Sequence, residues 1–204
     1  VGMTLDKYGL DHKKYILFVG SVQPRKNLVA LIEAFSHFTS DYVGDSVPDY
    51  KLVIAGGVRW MAEEVLRAPA RYGVQEKVIF TGRISDLELQ QLYLGAVLYV
   101  QPSITEGFGL PVLEAMTHEV PVITSDGGAL CEVVSNAGVI VEISNHKFSN
   151  SQIGDSFASR LAVAMKRVIS DKKLQKNLIA IGLKRAKSMT WGKAAKATLE
   201  VLVG

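Results

Sequence analysis

The sequence predicts an α/β fold: a Rossmann-like, doubly wound parallel sheet of about six strands, with helices on both faces and a helical C-terminal tail. Two observations carry this. Short, continuously apolar runs rich in β-branched and aromatic residues recur along the chain, as strands buried on both faces require; half-solvated antiparallel strands would alternate instead. Longer stretches of helical periodicity lie between them, and strand–helix alternation with right-handed crossovers winds into a mainly parallel sheet. Such a sheet binds ligands outside the carboxyl ends of its strands.

The apolar runs are Tyr15–Val19, Lys51–Ala55, Val78–Thr81, Leu98–Val100, Pro121–Thr124 and Val139–Val141. The first helix covers Leu28–Phe38, with Leu28, Leu31, Ile32, Phe35 and Phe38 on one face. Helices are also expected over Met61–Tyr72, Asp86–Leu94, Leu110–Thr117 and Ala129–Val134. Ser85 and Glu88 form a capping box at the start of the third. Pro111 sits in the first turn of the fourth, where a missing N–H is harmless. The polar stretch Ser144–Gly154 reads as a loop, and helices follow over Ser156–Ser170, Lys172–Lys187 and Trp191–Val203. The last carries Trp191, Ala195, Thr198, Leu199 and Leu202 on one face. No repeat or linker divides the chain, so residues 1–204 are expected to form a single domain, its core at about 15–143 and its C-terminal helices at about 155–203.

Composition narrows the function. Of 204 residues, 48% are hydrophobic and 21% charged, which excludes a disordered tail. A chain of this length buries roughly 70% of its unfolded surface and needs no disulfide or metal to hold it. Its one cysteine, Cys131, can form no intrachain disulfide and is expected to pack near the core. Twenty-three basic against 20 acidic residues give a net charge of +3, and no basic stripe with interleaved aromatics accompanies it, so nucleic acid is not an expected partner. No apolar run approaches ~18 residues and the start has no secretory pattern, so neither a membrane span nor a signal peptide is expected. Val1 is not an initiator, which fits a piece of a longer chain. His12, His37, His118 and His146 lack partners at catalytic spacing and are read as surface or helix-end residues; Trp60 is read as core or surface packing rather than the edge of a pocket after the second strand.

Two loops carry chemistry. Gly20-Ser-Val-Gln-Pro-Arg25-Lys26-Asn lies between the first strand and its helix. A glycine turn, a helix N-terminus with free N–H groups, and two cations make a phosphate site, or else a solvated basic loop. The segment is neither a Walker A loop nor G-x-G-x-x-G. The second loop opens Glu106-Gly-Phe-Gly-Leu-Pro-Val-Leu-Glu114-Ala-Met. Gly107 and Gly109 uncover the backbone beside a helix start, where the N–H groups of Phe108, Gly109 and Leu110 can meet an anion. Glu106 and Glu114 bracket that point. Carboxylates would repel phosphate but accept from hydroxyls, so together with an anion site they suggest a sugar on a diphosphate. The alternative is a solvated Glu106 and a Glu114 that merely favours the helix N-terminus. Asp126-Gly127-Gly128, after the fifth strand, reads as a turn. There is no Asp-x-Asp, no H-E-x-x-H and no zinc-spaced Cys/His cluster.

The Glu106–Met116 string resembles the E-x7-E motif of group 1 retaining glycosyltransferases, and Gly20–Asn27 resembles that family's phosphate loop. Leu52–Gly57, Val78–Ser85 and Pro121–Gly128 are similar to further family segments in the same order and spacing. The resemblance runs from about Tyr15 to Glu142 and implies the C-terminal, donor-binding lobe of a GT-B fold. It implies that Lys26 and Arg25 meet the donor diphosphate beside Gly20 and Ser21, and that Glu106 contacts the transferred sugar. Phe108, Gly109 and Leu110 would offer backbone N–H groups, Glu114 would accept from the ribose, and Gly82, Arg83 and Ile84 would line the base. Many members carry Arg where Ser21 stands, so one phosphate contact is missing or is supplied by Arg25; by the same resemblance, Asp126-Gly127-Gly128 would be part of the donor-pocket rim if it is more than a turn. The Pro-Arg-Lys-Asn variant looks most like mannosyl- or related hexosyltransferases, with GDP-mannose or UDP-hexose as donor.

By the same resemblance, two cations replace a divalent metal and no cofactor is expected. The acceptor sits on a missing N-terminal lobe, and the last helix packs on its own sheet or reaches toward that lobe. The full enzyme is expected in the cytoplasm, peripheral to the inner face of the membrane. The alternatives are a GT-B nucleotide-sugar epimerase lobe, which the E-G-F-G-L-P-x-L-E string disfavours, and a non-catalytic nucleotide-binding module.

Overall fold

The computed structural model describes residues 2–40, 49–143 and 156–203. The loop expected at Ser144–Gly154 and His146 lie outside them. A short helix α1 (Gly2–Lys7) precedes β1 (Tyr15–Val19); α2 (Leu28–Ser40), β2 (Lys51–Ala55), α3 (Glu63–Arg71), β3 (Val78–Gly82) and α4 (Asp86–Gly95) follow. The second half runs β4 (Leu98–Gln101), α5 (Leu110–Thr117), β5 (Val122–Ser125), α6 (Leu130–Val134), β6 (Val139–Val141), α7 (Phe157–Ser170), α8 (Lys172–Ser188) and α9 (Trp191–Val203).

The strands pair in parallel in the order β3-β2-β1-β4-β5-β6. Successive side chains of a strand point to opposite faces, and each face has its own core. Ile16 and Phe18 pack with α2, α3 and α7; Tyr15 and Leu17 pack with α1, α4, α5 and α6. The β1 residues Tyr15–Phe18 are fully buried, which is why that run is apolar without alternation. In edge strand β3 only Val78 is buried, and the rest is half-buried.

The Ser85–Glu88 capping box is present at the start of α4. Helix α3 starts later than the periodicity suggests: Met61 has φ +56, and the helix begins with Glu63 and Glu64, whose charges suit its N-terminal end. Cys131 is exposed, contrary to the sequence expectation. On short α6 the inward positions are Leu130, Val133 and Val134, spaced i, i+3, i+4, and residue 131 falls outside that stripe. Helix α9 buries none of its residues, so it does not pack on its own sheet. Among the described residues no helix is long and apolar enough to cross a membrane.

The order places the reversal of the winding between β1 and β4. The chain builds outward from β1 to β3, then returns to pair β4 with the other side of β1. At such a reversal, ligand binding is expected beside the loops that leave the carboxyl ends of the two strands. These are the loops of Gly20–Asn27 and of Glu106–Gly109.

Candidate functional site

The first loop is shaped by a 3₁₀ turn, Pro24–Lys26, closed by Asn27 in the left-handed region at φ +55. The turn aims Lys26 inward, leaving it 7% exposed, while Arg25 stays at the surface. The carbonyl of Arg25 accepts from the Ile104 N–H at 2.9 Å, which ties the first loop to the second. With its carboxamide oriented so that the oxygen faces these donors, Gln23 accepts from Ser21 Oγ at 2.9 Å and from the Arg25 guanidinium at 3.1 Å.

The second loop brings Glu106 to these cations. Lys26 Nζ donates to Glu106 Oε1 and Arg25 donates to Oε2 at 3.0 Å. Arg25 also donates to the Thr105 carbonyl at 3.3 Å. Only 8% of the Glu106 side chain is exposed. Burial works to raise its carboxyl pKa, but hydrogen bonds from Lys26 and Ser103, the Lys26 charge and the Arg25 bond outweigh it and hold the carboxyl below its ordinary value. Asp126-Gly127-Gly128 is a turn that braces this loop. Gly128 has φ +64, and a side chain there would overlap the Glu106 backbone, whose carbonyl accepts from the Ala129 N–H at 3.1 Å.

Helix α5 begins at Gly109, φ +93, with no side chain capping it and Pro111 in its first turn. Phe108 and Leu110 are 43% and 47% exposed beside it. Leu110 and Leu113 face Met189, Trp191 and Ala194 across an apolar groove of about 690 Å³, which no local pattern of residues anticipates.

Glu114 lies on α5 and has a separate partner: Tyr93 of α4 donates to its Oε2 at 2.9 Å. Burial, and then the neighbouring Tyr99 and Glu114, push the Tyr93 hydroxyl pKa far up, so it stays a neutral donor. His118 stacks on the Tyr93 ring at 5.2 Å and caps the end of α5, the helix-end role expected for it. Gly82 ends β3 at φ +68 and its carbonyl accepts from the Gly56 N–H at 3.0 Å. Arg83 is exposed beside Gly57, and Ile84 is half-buried. Trp60 is 68% exposed.

The structure therefore joins Arg25, Lys26 and Glu106 directly, keeps Glu114 on its own support, and sets Gly82–Ile84 two strands away at the sheet edge. Among the described residues no three His, Cys, Asp or Glu side chains gather as metal ligands would.

The chain matches one known family, Glycosyl transferases group 1, over residues 5–185. The chain belongs to the group 1 glycosyltransferases. Among similar family proteins, the O-antigen chain mannosyltransferase B of Escherichia coli is 31% identical over 197 residues, covering 96% of this chain and 47% of that enzyme. The chain thus spans about half of that relative, and 22% of a serotype-specific mannosyltransferase WbdA of the same species at 29% identity.

Among solved structures, the C-terminal domain of a group 1 glycosyltransferase (LpcC) from Francisella tularensis superposes with a TM-score of 0.71 at 25% identity, over 91% of this chain and 90% of that domain. Anabaena HepE, solved in complex with UDP and glucose, gives a TM-score of 0.78 at 18% identity over 97% of this chain and 50% of its own. The fold is thus that of a GT-B lobe, the C-terminal one.

Proposed function

We propose that this lobe binds a nucleoside-diphosphate hexose and, in a longer chain, transfers the hexosyl group with retention to an acceptor held by an N-terminal lobe. The observation that carries the reading is the meeting of Arg25 and Lys26 with Glu106 on the loops that follow β1 and β4. Two cations and one carboxylate leave an excess of positive charge for a diphosphate. The uncapped N–H groups at the start of α5 add partial positive charge on the same side.

Cleavage of the sugar–phosphate bond moves negative charge onto the leaving diphosphate. In this reading Lys26, Arg25 and the Phe108, Gly109 and Leu110 amides stabilise it as it develops, in the role a divalent metal plays elsewhere. Glu106 accepts from a hydroxyl of the transferred sugar, and Glu114, steadied by Tyr93, accepts from the ribose. Gly82, Arg83 and Ile84 border the base. The mannosyltransferase relatives favour a mannosyl donor such as GDP-mannose over a UDP-hexose. The open face of α9 meets the N-terminal lobe, and the full enzyme works from the cytoplasmic side of the membrane.

Calorimetry of this chain with a panel of nucleotide sugars tests the reading. One base and one hexose should bind best, and no binding by any of them would refute it. The lobe alone should transfer little sugar, because a closed cleft is needed to exclude water and align the reactants; robust transfer by residues 1–204 contradicts the two-lobe assignment. In the full enzyme, Glu106→Ala should reduce turnover more than donor affinity, and the reverse pattern would move Glu106 away from the sugar.

A further inference from the structure

The carboxyl end of β4 carries a buried polar chain among apolar strands. Gln101, its last residue, is 1% exposed and Ser103 is fully buried. Burying a carboxamide and a hydroxyl is costly unless their polar atoms are bonded, and here they are. The buried Tyr99 hydroxyl donates to Gln101 Oε1. Tyr99 cannot readily ionise, because burial above all pushes its pKa well up. A donor on the oxygen side fixes which way the amide points. Gln101 Nε2 then donates to Ser103 Oγ at 2.8 Å and to Glu106 Oε1 at 2.9 Å. Ser103 Oγ donates to the same Oε1 at 2.7 Å.

The two oxygens of Glu106 are therefore unequal. Oε1 accepts from Lys26, Gln101 and Ser103, whereas Oε2 accepts from Arg25, whose side chain is 47% exposed. An oxygen with three donors has no lone pair to spare, and one with a single donor does.

We propose that Gln101 and Ser103 are positioning residues: they lock the Glu106 carboxylate with Oε1 turned inward, so that Oε2 is the oxygen that takes a hydroxyl of the transferred sugar. What Oε2 meets rests on the donor-site reading above; the lock itself does not.

The test is a carbon-13 NMR titration of the Glu106 carboxyl in this chain, assigned with Glu106→Gln, for wild type, Gln101→Met and Ser103→Ala. Methionine keeps the length and volume of glutamine but donates nothing. A donor role predicts that each variant raises the Glu106 midpoint by about half to one pH unit, because hydrogen bonds to the charged form are lost. A space-filling role leaves it in place, and an unmoved midpoint in folded variants overturns the proposal. Should Gln101→Met fail to fold, Ser103→Ala decides alone, since it removes one hydroxyl. Titration with GDP-mannose and UDP-glucose separates the two levels. A wild-type chain that binds neither overturns the sugar contact of Oε2, while a raised midpoint still supports the lock. Binding by wild type that both variants keep in full strength overturns the link between lock and donor.

Discussion

Glu106 is buried between two cations because both loops put charge at the same point. A carboxylate so placed is stable only while its partners remain. Lys26→Ala removes the buried one, leaving Arg25, Ser103 and Gln101 to satisfy the carboxylate. We expect a loss of about 1–3 kcal/mol, read as a lower midpoint in denaturant at unchanged slope. An unaltered midpoint would mean that the pair contributes nothing to the fold.

At the scale of elements, α9 stands apart. Trp191, Leu199, Val201 and Leu202 are 59–83% exposed, and the helix buries nothing. Removing residues 191–203 should therefore change unfolding free energy by no more than about 0.5 kcal/mol, as for exposed positions generally. A large loss would show that α9 supports the lobe. The strands were legible in the sequence because burial on both faces leaves an apolar run, as at Tyr15–Val19, and α4 was legible through Ser85 and Glu88. Strand order was not, because pairing between β1 and β4 joins residues some 80 positions apart and leaves no local pattern. Helix α1 was too short to show a period, and Cys131 shows how a five-residue helix defeats a prior based on residue type. In the site, Arg25, Lys26 and Glu106 were legible as motif residues. Their ion pairing, and the support from Tyr93, Tyr99, Gln101 and Ser103, were not, because those four read as ordinary helix, strand and loop residues until the sheet brings them together.

For the whole molecule, stability should be bounded by pH on both sides. The folded Glu106 pKa lies below its ordinary value, so its contribution is complete above the unfolded value near ~4.3 and is lost as pH falls through the folded one. Burial raises the pKa of Tyr15, Tyr93 and Tyr99 in the folded state, so their contribution is present below about pH 10 and is lost as pH rises further. Melting temperature should hold a plateau between these limits; a curve flat to pH 11 would contradict the burial of the three hydroxyls.

The proposed function requires a diphosphate bound where the winding reverses between β1 and β4. Thermal unfolding of this chain with GDP, UDP or ADP tests that most directly. At 100 times its dissociation constant, the nucleotide that fits should add ~2.7 kcal/mol, a rise of about 5 °C or more, and Lys26→Ala should abolish most of it at the same concentration. No rise with any of the three, or a rise that Lys26→Ala leaves intact, would contradict it.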